Sequence, residues 1–151
     1  MKKYTFKLES VFRYRKFLEK IAKIKVSSAR YEVVKCKDQI EMLKKQHNEI
    51  VKALTDQLSS GVDSDQYQNY TKYISGIDSM MEFKNNNLLN FIKKMVEKQK
   101  ELEAQSIKKK TIQTLKENRK IQYYKDLSEK IQKEADDAIL LRKAKNNIER
   151  Q

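Results

Sequence analysis

The sequence predicts an all-α fold, two long helices in an antiparallel coiled-coil hairpin with the second helix the longer, and three observations carry that prediction. The 151 residues include no proline and two glycines, which removes most of the punctuation that sheets, tight turns and linkers require. Charged residues make up 36% and apolar residues 38%, too little apolar surface for a thick globular core but enough for narrow helix seams. Apolar residues also recur at three- and four-residue steps along two stretches, interrupted once around Gly61.

The first seam runs through Leu18, Ala22, Val26, Ala29, Val33, Cys36, Ile40, Leu43, His47, Ile50, Leu54 and Leu58. Gly61 then suits a left-handed C-terminal cap, and Asp63, Ser64 and Asp65 are good N-cap residues, so one helix stops and another starts here. The second seam runs through Tyr67, Tyr70, Ile74, Ile77, Met81, Lys84, Leu88, Phe91, Met95, Lys98 and Leu102. It then loses register before a new apolar series, Ile121, Tyr124, Leu127, Ile131, Ala135, Ala138 and Leu141. The expected boundaries are helix one at about 8–60, a turn at 61–65 and helix two at about 66–148, within a single coiled-coil rod over 1–151. A short turn between amphipathic helices favours antiparallel neighbours, each covering the other's seam. Helix two outruns helix one, so residues beyond about 115 are expected to lack an intramolecular partner.

The 34 basic and 21 acidic residues leave a net charge of +13, unevenly spread. Residues 1–30 hold 10 basic and 2 acidic groups, a local +8, and residues 93–133 hold 13 and 6, a local +7. Folding the hairpin at Gly61 brings these two blocks to one end, which suits an acidic partner. No apolar stretch approaches the length of a membrane span, and the basic start at Met1-Lys2-Lys3 is followed by no continuous apolar run, so a cytoplasmic protein is expected. The lone Cys36 cannot form an internal disulfide.

No residue set carries catalysis. His47 sits at a seam position and reads as a register-setting core residue, and Cys36 among Val33 and Ile40 reads as a small buried thiol. Asp63 and Asp65 lack the other ligands of a calcium loop and are explained by capping. There is no phosphate loop, no paired-cysteine metal spacing and no nucleophile elbow, so no enzyme activity, cofactor, metal or small-molecule substrate is expected. The start of helix two is richer in apolar residues than one seam can use. Tyr73, Ile77, Met80 and Lys84 form a second stripe at steps of four, three and four, with Phe83 beside it, and this reads as a docking face. Gly76 inside this stretch suggests close backbone approach or a kink. A basic two-helix arm could instead bind RNA, but the interspersed acids and few arginines weigh against nucleic acid. A generic scaffold coiled coil would form homodimers through the unpaired end of helix two.

The opening Phe6-Lys7-Leu8-Glu9-Ser10-Val11-Phe12-Arg13-Tyr14-Arg15, the long amphipathic helix and the segment from Gly61-Val62-Asp63-Ser64-Asp65 to Tyr70-Thr71-Lys72-Tyr73-Ile74 together resemble the flagellar export protein FliJ family. The resemblance spans nearly the whole chain, and its most specific part is the glycine turn followed by aromatics at three-residue steps. It implies a non-enzymatic, stalk-like component of the flagellar type III export apparatus. Such a protein binds and activates the export ATPase ring, contacts the cytoplasmic domain of the export gate and escorts export chaperones, at the inner face of the cell membrane. The family's gate-binding face maps here onto Tyr73, Ile77, Met80 and Lys84; the polar Lys84 is a departure. The basic end, with Arg13, Arg15, Lys16 and Lys20, would meet the ATPase ring, by analogy of shape together with charge.

Overall fold

A computed structural model describes residues 4–148; the basic opening Met1-Lys2-Lys3 lies outside the described residues. Two helices make up the described chain, α1 at Glu9–Ser60 and α2 at Ser64–Ile148, with no strand among the described residues. The all-α class, the antiparallel pairing and the longer second helix are as the sequence predicts.

The break between the helices has a local cause. The Ser59 hydroxyl donates to the Asp56 carbonyl at 2.6 Å and the Ser60 hydroxyl to the Gln57 carbonyl at 3.2 Å, so both serines turn back onto the last turn of α1, a local bonding that competes with continued helix. Gly61 then takes φ +96°, a left-handed conformation that side chains with a Cβ rarely adopt. The next helix opens when the Tyr67 amide donates to the Asp63 carbonyl at 3.0 Å, which makes Asp63 the capping residue and starts α2 two residues before the expected position.

Packing divides the chain into two compact units, Met1–Leu18 with Ser106–Gln151 and Glu19–Gln105. In the Glu19–Gln105 unit the core is a single seam of Ala22, Val26, Val33, Cys36, Ile40 and Ile77. Each fully buried aliphatic side chain contributes about 1.5–3 kcal/mol of apolar transfer. Polar contacts cross between the helices in this unit. The Cys36 thiol donates to the Lys84 carbonyl at 3.4 Å, the Lys84 ammonium donates to Gln39 Oε1 at 2.8 Å, and His47 Nε2 lies 3.3 Å from Asp78 Oδ1. Partners fall in number along α2 as they rise along α1, which defines the antiparallel register. Leu58 and Tyr67, expected in the seams, are exposed.

In the Met1–Leu18 and Ser106–Gln151 unit, Phe6 is buried, and the Tyr4 and Tyr123 rings meet at 5.4 Å between centroids. Lys116 donates to Glu9 Oε2 at 2.7 Å and stands 4.9 Å from the centroid of the Phe12 ring. These contacts correct two expectations. Beyond residue 115 the chain keeps an intramolecular partner as far as Tyr123, because the non-helical segment before Glu9 advances about 3.3 Å per residue against about 1.5 Å in a helix, so a few residues cover more than a turn of α2; from Ser128 to Ile148 every residue is exposed, as expected. The covered residues are Lys116 and Tyr123, with Leu127 half-buried, whereas Ile121 and Tyr124 are exposed. Within this unit the seam therefore runs through polar Lys109 and Lys116 to Tyr123, passing by Ile121 and Tyr124 and joining the expected series only at Leu127.

Candidate functional site

Early α2 presents two faces with different fates. Ile77, at 5% exposure, and Lys84 are committed to the helix–helix seam. Lys84 spends its ammonium on Gln39 and its carbonyl on the Cys36 thiol. Tyr73 and Met80 are 54% and 58% exposed. The four residues of the expected stripe thus divide, two inward and two outward, because steps of four, three and four cross obliquely from one face of a helix to the next.

The outward face has its own register, Tyr73, Gly76, Met80 and Phe83, at steps of three, four and three, and Phe83 is also exposed. Gly76 belongs to this face, and a Cβ placed there would meet nothing within 4 Å. No close intramolecular approach occurs at Gly76, contrary to one of the two explanations offered by the sequence; the glycine leaves a gap in the middle of an exposed apolar stripe. The regular spacing of Phe83 from Met80 and Gly76 was the signal that would have drawn this face correctly. Near its start, Tyr70 and Tyr73 join Ile50, Gln57, Gln66 and Asn69 in lining an open cavity of about 430 Å³.

Arg13 and Lys16 are exposed and Arg15 is half-buried in the first unit, and Lys20 is exposed in the second. In the second unit Lys25, Lys94 and Lys98 line a shared groove with Glu32 and Phe91. The hydrogen bond from Lys98 to Glu101, 2.9 Å long, holds the Glu101 carboxyl below the usual carboxylate range, helped by the charges of Lys98 and Lys25. His47 sits in the seam region beside Asp78, and Cys36 is a buried free thiol. Among the described residues no group of three or more His, Cys, Asp or Glu could hold a metal ion, and no helix is long and apolar enough to cross a membrane.

The sequence model of the family described as "Flagellar FliJ protein" matches residues 4–147. No curated protein and no solved structure matches the chain. The family match covers both helices, the Gly61 turn and the aromatic start of α2, so the chain belongs to the flagellar FliJ protein family and is a component of the flagellar export apparatus.

Proposed function

We propose that the chain is a non-enzymatic docking component that binds and activates the export ATPase ring and contacts the cytoplasmic domain of the export gate. In the same reading it escorts export chaperones and works in the cytoplasm at the inner face of the cell membrane. The observation that carries this reading is the exposed stripe of Tyr73, Met80 and Phe83 around Gly76, on a helix whose other face is occupied by α1. Exposed aromatic and methionine side chains at regular steps supply the anchors that dominate protein interfaces. The glycine between them lets a partner backbone approach closely. Ile77 and Lys84 support this face from beneath. Arg13, Arg15, Lys16 and Lys20 supply the basic end, which suits electrostatically steered association with an acidic ring.

The gate arm of the proposal is tested with Tyr73→Ala plus Met80→Ala, measured against the purified cytoplasmic domain of the gate. Loss of two anchors should weaken binding roughly thirtyfold or more, at about 2 kcal/mol, while the melting temperature barely moves. Unchanged affinity would remove the stripe from gate docking. The ring arm is tested by reversing the charges of Arg13, Arg15, Lys16 and Lys20, which should slow association with the export ATPase and reduce its salt dependence. An unchanged association rate would reduce the basic end to a solvated surface.

A further inference from the structure

Every residue from Ser128 to Ile148 is exposed, including Ile131, Leu141 and Ile148. The seam that α2 uses in this unit, half-buried at Tyr123 and Leu127, continues past them at the same three- and four-residue steps as Ile131, Glu134, Ala138, Leu141, Lys145 and Ile148. The apolar stripe is thus continuous with an interface the chain already makes, and it carries one acid and one base at seam positions.

That order of residues is informative. Outward from the midpoint between Ala138 and Leu141 the stripe reads aliphatic, charged, isoleucine in both directions, with Glu134 on one side and Lys145 on the other. Asp136 and Asp137 add acid to the first half, and Arg142 and Lys143 add base to the second. In a parallel pair of such helices Glu134 would face Glu134 and Lys145 would face Lys145, a repulsive arrangement inside a seam. In an antiparallel pair Ile131 meets Ile148, Glu134 meets Lys145 and Ala138 meets Leu141, and each of these pairings occurs twice. We propose that the exposed end of α2 docks a second copy of this chain as an antiparallel pair through residues 131–148, with Glu134 and Lys145 setting its direction and register. The paired length is about 27 Å at about 1.5 Å per residue. An interface that short lies at the small end of specific interfaces, so the pair is reversible and forms in the micromolar range of concentration.

The test uses the full chain in sedimentation equilibrium over a wide concentration range, with circular dichroism confirming helix content. The wild-type mass should rise towards that of a dimer. E134K and K145E should each weaken self-association at least tenfold, because each leaves two like charges facing each other twice. An equimolar mixture of the E134K and K145E chains should associate as well as wild type, and so should the double variant E134K/K145E, since both restore opposite charges across an antiparallel pair. A wild-type chain that stays monomeric throughout, single variants that associate unchanged, or a mixture that fails to recover would each overturn the proposal.

Discussion

The Cys36 thiol donates to the backbone carbonyl of Lys84 at 3.4 Å, and the Lys84 ammonium reaches Gln39, one turn further along α1, at 2.8 Å. One lysine therefore fixes the register of residues separated by 48 and 45 positions in the sequence. Gln39→Cys and Lys84→Cys in a Cys36→Ser background should give an intramolecular product with a short bismaleimide. On a denaturing gel that product runs as a compact monomer; a ladder of dimers in its place would contradict the antiparallel pairing within one chain.

Ile77 and Met80 lie three residues apart and meet opposite environments. Ile77→Ala opens a cavity in a thin seam and should cost about 2–4 kcal/mol, seen as an earlier thermal transition. Met80→Ala removes an exposed side chain and should stay within about 0.5 kcal/mol of wild type. Equal losses would mean that the outward stripe belongs to the core.

The two glycines should respond to alanine with opposite signs. Gly61→Ala forces a Cβ into a left-handed turn and should destabilise by about 1 kcal/mol, although nothing crowds the site. Gly76→Ala adds a better helix former in open space and should stabilise by about 0.5–1 kcal/mol in chemical denaturation. If the proposed docking face is right, the same Gly76→Ala change weakens binding to the gate domain despite the gain in stability.

Glu101 offers a pH test. Its carboxyl is held below the usual range by the Lys98 hydrogen bond first, then by the charges of Lys98 and Lys25. A depressed carboxylate contributes stability that is present above its unfolded-state value and is lost as pH falls through the lowered folded-state value. Lys98→Met should therefore move the Glu101 titration upward towards the ordinary range, read from the side-chain carboxyl carbon by NMR. A curve that does not move would assign the shift to some other group.

Much of this protein was legible without coordinates. Step periodicity marked the seam from Ala22 to Ile40, because burying one face of a helix imposes the three- and four-residue spacing directly on the sequence. Gly61 and Asp63 marked the break for an equally local reason, the conformation and capping that a helix end requires.

The tertiary structure decided what local pattern leaves ambiguous. Apolar residues such as Ile77 and Met80 look alike on a periodic helix, and only the position of the partner helix separates the one that is buried from the one that is exposed. Polar residues carry no apolar signal, so the place of Lys116 in the seam ahead of Tyr123 was invisible until Lys116 was seen against Glu9 and Phe12, and Tyr123 against Tyr4. Hydrophobic periodicity is a property of one helix, whereas burial is a property of two surfaces in contact. The sequence by itself therefore determined where the helices run, and the tertiary structure decided which of their faces are buried and which are exposed.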